Sequence, residues 1–188
     1  SRDNLLKEAK KSQNILITGN TVIDALFLVL DKIKNDKESE SKIKKQILNS
    51  NYDIKKDTKI ILVTGHRREN HGQGIVNICE ALKAIALNNP TIDIVYPVHL
   101  NPHVQKPVKG LLSDVSNIHL IEPLQYEAFI YLMSKSYFVI TDSGGVQEEA
   151  PSLGKPVLVM RSTTERPEAL EVGTVKLVGT NTQIIIKE

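Results

Sequence analysis

Four polar segments of the sequence could carry chemistry, and each directly follows an aliphatic run. The first is Thr64-Gly-His-Arg-Arg-Glu-Asn70. In it Gly65 would allow close approach of a ligand, His66 could carry a proton near neutral pH, and Arg67 could neutralise a phosphate or a carboxylate. The alternative is a polar loop whose arginines pair with Glu69 and other surface acids. Its place directly after a predicted strand favours the functional interpretation.

The second segment, Thr141-Asp-Ser-Gly-Gly145, lies between an aliphatic run and a predicted helix. Gly144 and Gly145 would let backbone N–H groups converge on an anion, and the Ser143 hydroxyl could donate a further hydrogen bond. This composition predicts a pyrophosphate cradle, although it matches neither a GxGxxG fingerprint nor a Walker loop, and an ordinary glycine turn is the alternative. Glu149, in the helix that follows, could reach ribose hydroxyls or merely complement the helix dipole.

The two remaining segments supply one arginine and one histidine as candidates. Arg166 belongs to a run of polar residues that begins after Met160, and an Arg–Glu surface network is the alternative interpretation. His99 lies at a strand end, where a hydrogen-bonded structural role is the simpler interpretation. The single cysteine, Cys79, lies on the apolar face of a predicted helix and is expected in the core. No histidine or cysteine pair has metal-ligand spacing with a supporting carboxylate, so the sequence predicts no metal site.

The elements that must position these residues alternate regularly along the chain. After two N-terminal helices and one short strand, each aliphatic run is followed by a stretch with helical spacing, which predicts a doubly wound parallel α/β sheet of the Rossmann-like type. In such sheets ligands bind beyond the carboxyl ends of the strands. The predicted strands are 14–19, 59–64, 93–98, 117–121, 137–141, 156–160 and 174–178. The predicted helices are 1–11, 21–33, 75–86, 102–112, 126–135, 146–153 and 166–171, with a solvated helix and linker over 34–56.

Composition excludes several classes of protein. A net charge of +2 over 188 residues gives no electrostatic argument for nucleic acid or for a membrane surface. No apolar run reaches the roughly 20 residues of a membrane-spanning helix. The single cysteine rules out an internal disulfide, and residues 1–11 lack the apolar core of a signal peptide. These features together favour the cytoplasm.

The segments together resemble the non-hydrolysing bacterial UDP-N-acetylglucosamine 2-epimerases. Six ordered blocks carry the resemblance, from Asn4 to Thr180: TGNTVIDAL, LVTGHRREN, IVYPVHLNP, TDSGGVQEEAPSLGKPVLVMR, TTERPEA and GTVKLVGT. The resemblance implies an isomerase of cell envelope polysaccharide biosynthesis that interconverts UDP-N-acetylglucosamine and UDP-N-acetylmannosamine. The implied route is elimination and re-addition of UDP, which needs no nicotinamide or other cofactor.

The family resemblance also implies a role for each candidate residue. His66 would touch the phosphates and act in catalysis, while Ser143, Gly144 and Gly145 would cradle the diphosphate. The remaining implied contacts of UDP are Glu149 with the ribose, Phe129 with the uracil, and Arg166 with the sugar or phosphate. Arg67 and His99 match positions of a possible activator site for a second UDP-N-acetylglucosamine. The chain departs from the family pattern at Ser162, where Asp is usual, and at His71, where Phe is common.

The resemblance further implies that this chain is the C-terminal half of a two-domain GT-B-type fold. Residues 1–35 would be a remnant of the N-terminal domain and a hinge helix, residues 36–56 a polar linker, and residues 57–188 a UDP-binding domain truncated at its C-terminus. The family's proton-transferring Asp and Glu residues belong to the other domain. The expected partners are therefore UDP-N-acetylglucosamine or UDP, the N-terminal domain or a complementary fragment, and a second copy in a homodimer. A GT-B-type glycosyltransferase domain and a non-catalytic nucleotide-sugar-binding remnant remain alternatives.

Overall fold

A single sheet of six parallel strands organises the computed structural model, which describes residues 2–55, 57–166, 169–170 and 173–188. The spatial order is β3-β2-β1-β4-β5-β6, so the order reverses between β1 and β4. The predicted Rossmann-like doubly wound sheet is thus confirmed. The strands are β1 Lys59–Thr64, β2 Ile92–Pro97, β3 Ile118–Ile121, β4 Phe138–Thr141, β5 Val157–Val159 and β6 Val175–Leu177.

The central strands are aliphatic because both faces of the sheet are covered. In β1, Ile60 and Leu62 enter one hydrophobic core, whereas Ile61 and Val63 enter the other. All four side chains are at most 1% exposed. This alternation follows from the two-residue period of a strand, and it explains why the run shows no polar residue until Thr64.

Eight α-helices lie within the described residues, and all but α1 cover the sheet. Helices α4, α5 and α8 pack together on one side, while α2, α3, α6 and α7 pack together on the other. Part of the predicted helix over 166–171 lies outside the described residues. Helix α8 was not predicted from the sequence, because it is barely longer than one turn. The helices are α1 Arg2–Lys7, α2 Thr21–Asn35, α3 Lys37–Asn49, α4 Gln73–Asn88, α5 Pro102–Leu112, α6 Tyr126–Lys135, α7 Val146–Ser152 and α8 Thr182–Lys187.

The predicted strand over residues 14–19 is wrong. A short 3-10 turn spans Ser12–Asn14, and the residues that follow have no regular structure. Leu16 and Ile17 are 84% and 73% exposed. A strand needs a neighbour to satisfy its backbone N–H and C=O groups, and no described strand lies beside this segment. The apolar run indicated local preference but carried no information about a pairing partner.

The expected polar linker contains a helix that contributes to the core. Ile43 and Ile47 of α3 are 5% and 0% exposed and belong to the same hydrophobic cluster as Leu62 of the sheet. Residues 36–55 are therefore more than a solvated connection, because Ile43 and Ile47 lie one turn apart on α3, which packs against α2 and α6. Leu26 of α2 is fully buried in this cluster as well, whereas Leu28 is 70% exposed. The division of the chain into domains remains a prediction.

Candidate functional site

The loops after β1 and β4 meet at the point where the strand order reverses. Asp142, which is 1% exposed, joins them. Its carboxylate accepts hydrogen bonds from the backbone N–H groups of His66, at 3.0 Å, and Arg67, at 2.9 Å. It also accepts one from the buried side-chain amide of Asn70, at 3.1 Å. The first and second predicted segments are thus bound to each other through one buried carboxylate.

Hydroxyl groups at the ends of the same two strands add to this junction. The Oγ1 atoms of Thr64 and Thr141 lie 2.6 Å apart, and Thr141 Oγ1 also accepts a hydrogen bond from the Ser143 N–H group, at 2.9 Å. The buried Tyr96 hydroxyl donates to the Gly65 carbonyl at 3.3 Å. A Cβ atom at Gly65 would lie 2.8 Å from that hydroxyl oxygen. Glycine is therefore required there by close packing within the chain.

The two predicted site histidines lie next to each other. The rings of His66 and His99 are stacked, with centroids 5.6 Å apart and an interplanar angle of 24°. His66 is 43% exposed at its side chain, and its Nδ1 atom lies 3.5 Å from Asp142 Oδ1. His99 Nδ1 accepts a hydrogen bond from the Asn101 N–H group at 3.1 Å, as the structural interpretation required. The structure therefore places His99 against His66 and also explains His99 as a hydrogen-bonded loop residue.

The glycine loop after β4 leaves open space. A Cβ atom at Gly145 would meet nothing within 4 Å, and this residue has an ordinary φ of −66°. A Cβ atom at Gly144 would meet only the Nη2 atom of Arg67, at 3.4 Å. Neither glycine is therefore required by packing or by an unusual backbone angle. The Arg67 guanidinium is the cation that faces this loop.

Glu149 and Phe129 lie further along the same side of the sheet. Glu149 is 7% exposed and accepts a hydrogen bond from the Tyr126 hydroxyl at 3.1 Å. Burial raises the pKa of its carboxyl above the ordinary value, although the bond from Tyr126 opposes this shift. Phe129 is half-buried and packs against the core.

The polar run that begins after Met160 contains two arginines, Arg161 and Arg166, and both are paired with glutamates. Arg161 is 8% exposed and donates to Glu69 and Glu165, each at 2.7 Å. Its guanidinium lowers the pKa of Glu165 to about 2. The side chain of Arg166 donates to Glu148. An Arg–Glu network is therefore present, and it ties the loop after β5 to the rest of the site.

Arg166 lines a cleft of about 470 Å³ together with Glu148 and Asn20. The Asn20 side-chain amide donates to Glu148 at 2.8 Å, and its oxygen caps α2 by accepting from the Val22 N–H group. Glu148 thus connects Arg166 with the start of α2. The structure places this cleft beside α7, next to the loop that contains Gly145.

Four further observations concern side chains and helices outside the site. Cys79 is fully buried, and burial raises the pKa of its thiol to about 12, so its core position is confirmed. His119 lies at the opposite end of the sheet, where its Nε2 atom is 3.2 Å from Asp93. Within the described ranges, no three His, Cys, Asp or Glu side chains are arranged to hold a metal ion. Among the described helices, none is long and apolar enough to cross a membrane.

Sequence reasoning missed Asp142 and Asn70, which hold the site together. The sequence did contain one signal for the role of Asp142, namely the presence of an acidic residue at this position. A carboxylate directly before a glycine loop that is expected to bind an anion opposes that anion, unless it is buried and saturated by donors. Asn70, eleven residues after the start of β1, carried no comparable signal.

The sheet order and the polar loops at its reversal point define a Rossmann-like domain of the kind that forms half of a GT-B fold. The family model described as UDP-N-acetylglucosamine 2-epimerase matches residues 1–188. The chain therefore belongs to the UDP-N-acetylglucosamine 2-epimerase family, as the resemblance implied.

Individual relatives agree with this assignment. The chain is 69% identical to a UDP-N-acetylglucosamine 2-epimerase of Campylobacter jejuni, with 100% of this chain and 49% of that protein covered. It is similar to the crystal structure of UDP-GlcNAc 2-epimerase from Neisseria meningitidis bound to UDP-GlcNAc. That match has a TM-score of 0.91 and 53% identity, and it covers 99% of this chain and 49% of that one. An MnaA–UDP co-structure from S. aureus has a TM-score of 0.84 and 42% identity, over 99% of this chain and 47% of its own. The chain thus spans about half the length of these relatives.

Proposed function

We propose that this chain is the nucleotide-binding half of a UDP-N-acetylglucosamine 2-epimerase. The observation that carries the proposal is the placement of Arg67 beside Gly144 and of His66 beside Asp142, in a chain of this family. Arg67 offers a guanidinium to the glycine loop, and the open space above Gly144 and Gly145 is where a diphosphate would lie. The Ser143 hydroxyl would donate to the same group. Glu149 would hold the ribose and Phe129 would lie by the uracil.

In the proposed reaction the C2 proton of the sugar is removed while UDP leaves, and UDP then adds again with the opposite C2 configuration. Negative charge develops on the departing diphosphate, so cations and fixed N–H groups around it lower the barrier. This chain would supply that stabilisation through Arg67, Arg166 and the glycine loop, and His66 would exchange a proton with the reacting groups. No hydride is transferred, so no nicotinamide cofactor is required.

We propose that the base for C2 belongs to the half of the relatives that this chain does not match. Exposed apolar side chains before α2 and within it support a contact with that half. Leu16, Ile17 and Leu28 are 84%, 73% and 70% exposed, and they lie close together along the chain. Large exposed apolar side chains that group into one patch mark an interaction site, and we propose that these three belong to such a patch. A homodimer and a cytoplasmic location complete the proposal, and the buried thiol of Cys79 is compatible with a reducing compartment.

The binding part of the proposal is tested by titrating UDP into the purified chain and measuring heat. The test variant combines Ser143→Ala with Gly144→Val, which removes one donor and fills the open space. A Cβ atom at Gly144 meets only the mobile end of Arg67, so the variant should fold. The matched control combines Ser113→Ala with Gly110→Val, at the far end of α5, where a Cβ atom at Gly110 meets nothing within 4 Å. We expect at least a tenfold loss of affinity in the test variant alone, and equal affinities would refute the site.

The catalytic part is tested by assaying the formation of UDP-N-acetylmannosamine with and without a separately prepared N-terminal half of a relative. We expect activity only in the mixture, because the base is supplied in trans. Full activity of this chain alone would require a base that the proposal lacks. UDP binding without turnover in a mixture that forms a stable complex would instead favour a nucleotide-sugar-binding remnant. Sugar transfer that depends on an added acceptor would favour a glycosyltransferase.

A further inference from the structure

The carboxylate of Asp142 accepts hydrogen bonds from several donors that all belong to the loop after β1. Its Oδ2 atom is within 3.1 Å of three nitrogen donors, namely the His66 and Arg67 backbone N–H groups and the Asn70 side-chain amide. Its Oδ1 atom receives the His66 N–H group at 3.1 Å and faces the ring of the same histidine. Because the carboxylate is 1% exposed, water cannot take over these contacts.

The ring of His66 must adapt to this fixed carboxylate. An ionised carboxylate only accepts hydrogen bonds, so the ring nitrogen that faces it is stable when it carries a proton. Nδ1 is that nitrogen, at 3.5 Å from Oδ1. This distance is longer than a hydrogen bond, but the attraction between an N–H dipole and a buried charge persists, and such contacts often shorten when a ligand binds. Nε2, on the far side of the ring, then keeps its lone pair.

The neighbouring His99 has the opposite arrangement. Its Nδ1 atom accepts a hydrogen bond from the Asn101 N–H group at 3.1 Å, so its proton lies on Nε2. The geometry therefore predicts that the two stacked histidines carry their protons on different ring nitrogens. The difference follows from the group that each Nδ1 atom faces. A single measurement can compare them within one molecule.

We propose that Asp142 is a positioning residue that keeps the proton of neutral His66 on Nδ1 and leaves Nε2 as the proton-accepting atom. The use of Nε2 in catalysis rests on the proposed function, whereas the position of the proton does not. If Asp142 only fastened the loop, its replacement would alter stability but would not move a proton from one ring nitrogen to the other.

The test is an NMR measurement of the ring nitrogens in the 15N-labelled chain. It is made at about pH 9, where imidazoles with an ordinary pKa of about 6.5 are neutral. His66→Gln assigns the His66 signals. We expect Nδ1 of His66 to have the chemical shift of a protonated nitrogen and Nε2 that of an unprotonated one. His99 should show the reverse pattern.

Asp142→Asn should exchange the two His66 signals. The amide oxygen would keep the place of Oδ2, where three donors converge, so the amide NH2 group would face Nδ1 and donate to it. His66 would then carry its proton on Nε2. Asp93→Asn is the matched control, because Asp93 is also a buried carboxylate facing a histidine, His119, at the other end of the sheet. It should alter the signals of His119 and leave those of His66 unchanged.

Three results would overturn the proposal. The first is a parent chain in which His66 carries its proton mainly on Nε2, and this result needs no variant to fold. The second is a folded Asp142→Asn chain with unchanged His66 signals. The third is an exchange of the His66 signals in Asp93→Asn. Failure of the chain to bind UDP would refute the proposed function and would leave the proton position as a separate result.

Discussion

The close contact between Gly65 and Tyr96 makes a quantitative prediction about the floor of the candidate site. A Cβ atom at Gly65 would lie 2.8 Å from the Tyr96 hydroxyl oxygen, closer than real Cβ atoms approach other heavy atoms. Tyr96 is fully buried and donates to the Gly65 carbonyl, so its ring cannot move aside freely. We therefore expect Gly65→Ala to reduce the free energy of unfolding by about 1–3 kcal/mol, the usual cost of overpacking.

A double-mutant cycle with Tyr96→Phe tests whether contact with the Tyr96 hydroxyl causes the loss of stability in Gly65→Ala. The single Tyr96→Phe change removes one neutral hydrogen bond, which is worth about 1 kcal/mol. Without the hydroxyl, the nearest heavy atom to the new Cβ becomes Met160 Cε at 3.6 Å, followed by Asp142 Oδ2 at 3.8 Å. Both are ordinary contact distances. The double variant should therefore be about as stable as Tyr96→Phe alone, so the coupling energy should equal the cost of Gly65→Ala, about 1–3 kcal/mol.

Urea unfolding followed by circular dichroism measures all four corners of this cycle. Gly110→Ala is the control for the general effect of replacing glycine. Gly110 lies within α5, and a Cβ atom there would meet nothing within 4 Å. That change should stabilise the chain by up to about 1 kcal/mol. The reasoning is refuted if Gly65→Ala is as stable as the parent, or if the two changes are additive.

Two further predictions concern α3 and Glu149. Ile47→Ala should lower the free energy of unfolding by about 2–5 kcal/mol. Leu48→Ala, at a position that is 54% exposed, should change it by less than about 0.5 kcal/mol. Equal losses of stability in urea unfolding would contradict the packing of α3. Burial raises the pKa of Glu149, so the folded chain holds this proton more tightly than the unfolded chain and its contribution to stability declines as pH rises above 4.5. The free energy of unfolding of Glu149→Gln, measured in urea, should therefore rise relative to that of the parent as pH increases above that value. A difference that stays constant with pH would show that Glu149 has an ordinary pKa.

The sheet and most helices could be predicted because local patterns determine them. Runs such as Lys59–Thr64 contain no polar break, which is typical of strands covered on both faces. The helical spacing of α4 and the start of α5 at Pro102 were equally clear from the sequence. These signals lie within one element each, so tertiary contacts did not need to be known.

The errors arose where the outcome depended on a distant partner. Residues 14–19 are apolar enough for a strand, but pairing cannot be derived from a single segment. The charged surface of α3 concealed Ile43 and Ile47, since these are the only two buried residues among its thirteen. Asp142 looked like one more polar residue in a loop, because its donors lie more than 70 positions earlier in the chain.

The backbone amides around Asp142 are engaged within the chain, which allows this buried carboxylate to lie beside the proposed anion cradle. The His66 and Arg67 N–H groups both point to Asp142, and the Ser143 N–H group points to Thr141 Oγ1. These three amides are already engaged and cannot also bind a phosphate.

The negative charge of Asp142 is compensated inside the loop that it holds, so it opposes a nearby diphosphate less than a bare carboxylate would. In the proposed function, binding of the diphosphate would then depend on groups outside this network, namely the Arg67 guanidinium, the Ser143 hydroxyl and the amides of Gly144 and Gly145. The same contacts that fix the backbone of Arg67 also aim its side chain across the glycine loop. One acidic residue thereby sets both the position of the cation and the environment of the neighbouring histidine.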